Sequence, residues 1–152
     1  MKKRFIYIII LCVSFANAQS NQSIFFYLYK GGEKIEKPTK HIYFDQSIEG
    51  FEKKTVSGLI YFYCKDETFL FKPNINKKKE ITLQPNKITL QNPMILKQEA
   101  YVFYKSKKEE VEKNKKIKLV YPPSTFNFVF QVYLYEKLKN GKYIRYEVEW
   151  KD

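Results

Sequence analysis

The chain has 152 residues, 44% hydrophobic and 18% aromatic, with a formal net charge of +12 at neutral pH. This length fits one domain with a real hydrophobic core. The charge comes almost entirely from lysine, because Arg4 and Arg145 are the only arginines. Lysine lacks the planar fork that favours phosphate recognition, so a nucleic acid partner is not predicted.

The first 18 residues have the three-part layout of a bacterial signal peptide. Residues 2–4 are basic, residues 5–13 form an apolar run, and residues 16–18 read Ala-Asn-Ala, a small-x-small cleavage site. The apolar run is shorter than the roughly 20 residues that cross a bilayer. We therefore predict an exported protein, periplasmic or extracellular, whose mature chain begins at Gln19 and has no transmembrane span. An uncleaved anchor and a lipid anchor on Cys12 are the alternatives.

The mature chain is dominated by an alternation of apolar and polar residues at the period of a β-strand, with turn residues between the runs. This pattern predicts strands at 23–29, 41–45, 55–64, 68–72, 80–83, 87–91, 99–105, 117–121, 126–138 and 142–150. Many short strands without an amphipathic helix indicate an all-β fold. We expect residues 19–152 to form a single-domain, mostly antiparallel β-sandwich, immunoglobulin-like in architecture, with a barrel as the alternative.

One segment departs from this alternation. Residues 105–116 are nearly all charged, and pairs such as Glu109 with Lys113 are spaced four apart, as in a helix. Because the segment has no apolar stripe of its own, we predict a solvated charged loop or a short helix.

Two hairpins are also predicted. The sequence Ile-Thr-Leu-Gln occurs at 81–84 and again at 88–91, on either side of Pro85-Asn86, which is typical of a short hairpin. Near the C-terminus, a three-residue loop ending in Gly141 at positive φ brings the apolar faces of two strands together. The resulting register pairs Phe130 with Trp150, Val132 with Val148 and Leu134 with Tyr146.

The chain carries few groups suited to catalysis. Cys64 is the only cysteine after residue 18, and its alternation places it on one face with Ile60 and Phe62, so we expect a buried small hydrophobe. His41 is the only histidine, and Asp45, four residues further along a strand, would stand about 13 Å away. Phosphate-binding glycine loops, nucleophile elbows and metal-ligand spacings are absent from the sequence. We expect a protein that is not an enzyme and that needs no cofactor or metal.

The terminal hairpin carries the candidate binding residues. In its predicted register, Tyr133, Tyr135, Tyr143 and Arg145 lie with Glu147 on the face opposite the core, and a cation–π contact between Arg145 and Tyr135 is available. Tyrosine combines apolar area with a polar tip, which suits glycan or protein recognition. The alternative is that this central strand is covered on both faces.

These features together predict a small exported module that binds an envelope protein or a glycan without catalysis. The alternative from a different class is an inhibitor or immunity protein that blocks a secreted enzyme or toxin.

Overall fold

The computed structural model describes residues 25–84, 86–119 and 123–151. The predicted signal peptide and the mature N-terminus at Gln19 lie outside these ranges, so export remains a prediction. The described chain is mostly β, with one α-helix. Its elements are β1 (Phe25–Tyr27), β2 (Lys34–Glu36), β3 (Thr39–Phe44), β4 (Phe51–Val56), β5 (Leu59–Cys64), β6 (Glu67–Phe71), β7 (Lys78–Ile81), a short 3-10 helix (Pro93–Ile95), α1 (Leu96–Lys115), β8 (Gln131–Lys137) and β9 (Tyr143–Lys151).

Seven strands form one mixed sheet in the order β3-β8-β9-β6-β5-β4, and β7 also pairs with β9. The long strand β9 connects two layers, because its first residues pair with β8 and β7 while residues 149–151 pair with β6. The β3–β8 pair is parallel and the other strand pairs are antiparallel. Across the described residues the sheet does not close into a barrel. The predicted all-β sandwich is thereby confirmed.

The core lies between the β3-β8-β9 layer and the β4-β5-β6 layer. Tyr146 of β9 packs its ring against Phe62 and Phe71 of the opposite layer, with centroids 4.9 and 5.1 Å apart, and Phe44 of β3 contacts Phe62 at 5.1 Å. Each such buried aromatic side chain contributes about 1.5–3 kcal/mol through removal from water. The chain therefore holds together by aromatic packing between the layers.

A polar cluster also joins the two layers. Lys53 Nζ lies 2.6 Å from Glu136 Oε2, and the hydroxyl of Tyr146 donates to the same carboxylate oxygen at 2.8 Å. Lys53 also contacts the Tyr146 hydroxyl at 3.1 Å. Burial and the Glu136 carboxylate raise the pKa of Tyr146. Because these partners come from both layers, the cluster constrains how the layers align.

The terminal hairpin has the predicted register over most of its length. Val132 pairs with Val148, Leu134 pairs with Tyr146, and Gly141 in the loop has φ +80°. The predicted pairing of Phe130 with Trp150 is wrong, because β8 begins only at Gln131 and Trp150 pairs with Phe69. Both Phe130 and Trp150 are nevertheless buried.

The helix α1 overturns one expectation from the sequence and extends another, the charged loop or short helix expected at 105–116. The predicted strand at 99–105 is wrong, and residues 105–115 are the second half of a 20-residue helix. Its buried residues are Leu96, Ala100, Tyr104 and Val111. Their spacing of four and seven is a helical stripe that the alternating pattern obscured. No helix among the described residues is long and apolar enough to cross a membrane.

Other strand predictions also needed correction. The run at 55–64 is interrupted by a tight turn at Ser57-Gly58, where both residues have positive φ, so it contributes to two paired strands. In the hairpin expected at 81–91, the described residues form no strand pair with each other, since Ile81 pairs with β9 and Gln91 lies beside Ile42. The predicted strands at 87–91 and 117–121 are not strands where the structure describes them. The predicted strand at 126–138 is shortened to 131–137.

Cys64 has the predicted environment. Its side chain is fully buried in the core cluster that contains Phe62. Burial, with a further contribution from Glu67, raises the pKa of the thiol to about 12. The thiol therefore remains protonated at neutral pH, and the prediction of a small buried hydrophobe is confirmed.

Candidate binding face on the outer surface of the sheet

The four predicted binding residues lie on one face of the β3-β8-β9 layer. Because side chains alternate across a strand, Val132, Leu134 and Tyr146 enter the core while their sequence neighbours point to the other side. The pairing of β3 with β8 adds two residues of β3 to this side. We call this surface the outer face, and it comprises His41, Tyr43, Tyr133, Tyr135, Tyr143 and Arg145.

Tyr135 forms the base of the outer face. It has no exposed surface, and its hydroxyl lies 2.9 Å from Nδ1 of His41. Arg145 is its cross-strand neighbour on β9. Burial raises the pKa of Tyr135, and the positive charge of Arg145 partly opposes this. Tyr135 thus supports the surrounding side chains and does not itself meet solvent.

Tyr133 is held by two neighbouring side chains. The guanidinium of Arg145 lies 5.0 Å from the centroid of its ring, and the ring of His41 stacks against it at 5.9 Å and 15°. The predicted cation–π contact of Arg145 with Tyr135 is therefore wrong. Arg145 instead lies over the diagonal neighbour Tyr133.

The environment of His41 favours its neutral form. Burial lowers its pKa, and the nearby positive charge of Arg145 lowers it further. A neutral imidazole has one acceptor nitrogen, which allows the Tyr135 hydroxyl to donate to Nδ1. Asp45, four residues away, is bonded to the Tyr43 hydroxyl at 2.8 Å. His41 therefore pairs with Tyr135, a residue remote in sequence.

The remaining rings are partly exposed. Tyr43, Tyr133 and Tyr143 are intermediate in exposure, as are His41 and Arg145. Tyr43 and Tyr143 lie at the far side of the face, with ring centroids 6.5 Å apart. Exposed aromatic rings with polar tips can stack on an apolar ligand surface and also form hydrogen bonds.

Sequence reasoning found the β8 and β9 residues of this face but missed His41 and Tyr43. The alternation within 41–45 does place both on one side of a strand. No local pattern indicates that this strand pairs in parallel with β8, because the two strands are about ninety residues apart.

Among the described residues, no group of three His, Cys, Asp or Glu side chains is arranged to hold a metal ion. Comparisons with protein-family models, curated proteins and solved structures found no match to this chain. The functional argument therefore rests on the residues of the chain itself.

Proposed function

We propose that this chain is an exported, non-catalytic binding module whose ligand, an envelope protein or a glycan, contacts the outer face. The observation that carries the proposal is the arrangement around Tyr133. Its partly exposed ring is held by Arg145 and His41, and His41 is in turn bonded to the buried hydroxyl of Tyr135.

This arrangement favours binding because the side chains are ordered before a ligand arrives. Ordering a flexible side chain at an interface costs about 0.5–1.5 kcal/mol. Tyrosine has only two side-chain torsions and presents a large contact area at low entropic cost. The hydrogen bond to the buried hydroxyl of Tyr135 reduces that cost further for His41.

Co-sedimentation with the insoluble envelope fraction of the source cells tests the proposal. The mature chain should sediment with this fraction, and Tyr133→Ser and Tyr143→Ser should each weaken the apparent affinity about tenfold or more. Tyr27→Ser is the matched control, because Tyr27 is 51% exposed and belongs to the separate β1–β2 pair. The control should sediment like the unmodified chain.

Two results of the sedimentation experiment would contradict the proposal. If all three tyrosine variants sediment alike, or if the unmodified chain remains in the supernatant, the outer face is not a recognition surface. Circular dichroism of each variant separates lost binding from lost folding.

A further inference from the structure

A cleft lies where β8 and β9 separate, at one end of the outer face. Its volume is about 290 Å³. Beyond the Val132–Val148 pair, β9 continues along β6, whereas the chain before β8 turns toward α1, where Phe128 contacts the ring of Tyr104. Gln131 lines the cleft and donates to the Tyr133 hydroxyl at 3.1 Å. The cleft is therefore continuous with the proposed recognition surface.

Three carboxamide side chains line the cleft, and each uses either its oxygen or its NH₂ group in a hydrogen bond within the fold. Oδ1 of Asn76 accepts a backbone N–H at 3.0 Å, and Oδ1 of Asn127 accepts the Thr125 hydroxyl at 3.0 Å. Gln131 uses its NH₂ group to contact Tyr133. These bonds orient the amides and leave two NH₂ donors and one carbonyl acceptor without a partner among the described residues.

The charged groups of the cleft are balanced. The lining residues Lys37, Lys151, Glu147 and Glu149 carry two positive and two negative charges, and Glu149 is paired with Lys151 and also with Lys72 outside the cleft. Lys37 and Glu147 also line the cleft, and neither forms an ion pair within the described part of the chain. Burial lowers the pKa of Lys37, consistent with a side chain enclosed by the cleft. One ammonium and one carboxylate group thus remain for a ligand, and together they carry no net charge.

We propose that this cleft binds one uncharged, hydroxyl-rich sugar unit of a glycan, whose neighbouring units lie along the outer face beside Tyr133. Each sugar hydroxyl both donates and accepts hydrogen bonds, which matches the mixture of free donors and acceptors at Asn127, Gln131 and Glu147. Phe128 and Trp150 add apolar lining for the C–H surfaces of the ring. The volume, about 290 Å³, lies just below the range of about 300–1,000 Å³ that holds drug-sized ligands, as expected for a single sugar unit. This inference rests on the proposed function and specifies its ligand class.

Isothermal titration calorimetry with cellohexaose, xylohexaose, maltohexaose and chitohexaose tests the inference. At least one should bind the mature chain, and Asn127→Asp and Glu147→Gln should each weaken binding about tenfold. Asn127→Asp retains the oxygen that accepts from Thr125 but loses the free NH₂ group, and Glu147→Gln preserves side-chain shape. Asn114→Asp, at an exposed position of α1, is the matched control and should leave affinity unchanged.

Failure of all four oligosaccharides to bind at millimolar concentration overturns the sugar assignment, as does binding that both cleft variants leave unaltered. If sugar binding fails while Tyr133→Ser still weakens co-sedimentation, the proposed function stands and the ligand is not a sugar in this cleft. If binding depends on Asn127 but not on Tyr133, the cleft is supported and the outer face loses its role.

Discussion

Tyr135 offers the sharpest test of how the outer face is built. Its ring is fully buried although it points away from the main core, and its hydroxyl bonds to His41. Truncating a fully buried aromatic side chain costs about 3–5 kcal/mol. Tyr135→Ala should therefore remove a large share of the free energy of unfolding, which is about 5–15 kcal/mol for small domains.

Two further variants separate the ring from the hydroxyl. Tyr135→Phe retains the packing and loses the hydrogen bond to His41, which should cost about 1 kcal/mol because partly exposed His41 can bond to water instead. Tyr133→Ala removes a ring that is already partly exposed, so about 1–2 kcal/mol is expected from the smaller area returned to water.

Equilibrium urea unfolding measures these differences. Trp150 is the only tryptophan and is 5% exposed, so its fluorescence reports loss of the core. The midpoint should fall most for Tyr135→Ala, with an unchanged dependence on denaturant. Equal destabilisation by Tyr135→Ala and Tyr133→Ala would refute the argument that Tyr135 is the buried support of the face.

Four other outcomes are expected. Intact-mass measurement of the exported protein should show a chain beginning at Gln19, and a mass that includes residues 1–18 would contradict the signal-peptide prediction. Cys64 should react slowly with a polar thiol reagent in the folded state and rapidly in urea, because it is buried and its pKa is raised to about 12; rapid labelling of folded protein would argue against burial. Gly141→Val should lower the free energy of unfolding by about 1–3 kcal/mol, because φ is +80° at this position. A Cβ there meets no atom within 4 Å, so a steric clash does not contribute. Gly141→Asn, which tolerates this φ better, should cost less, and equal costs for the two variants would exclude backbone strain as the cause. Because the pKa of His41 is lowered from 6.5, the folded state binds its proton less readily than the unfolded state. The contribution of His41 to stability should therefore be complete above pH 6.5 and decline as the pH falls below 6.5. His41→Gln should remove this contribution to the pH dependence, and a pH profile of stability identical to that of the unmodified chain would contradict the prediction.

The sequence by itself determined the features that depend on near neighbours. Alternation along 126–138 and 142–150 identified both terminal strands and their apolar faces. Matching those faces then selected the three-residue loop with Gly141, because a shift of one residue would have turned every side chain over. The same alternation placed Cys64 inside and grouped Tyr133, Tyr135, Tyr143 and Arg145.

Tertiary structure decided the features that depend on contacts between distant residues. Apolar residues lie on more than one side of helix α1, since Tyr101 and Val102 are exposed, and only packing of Ala100 and Tyr104 into the core shows which side is buried. The outer face is completed by His41 and Tyr43 because β3 pairs in parallel with β8, and parallel strands are joined by long connections that leave no turn signal. The cleft exists because β9 exchanges one partner strand for another at Val148. Strand period is a local property of the chain, whereas the choice of neighbouring strand follows from burial summed over the whole fold.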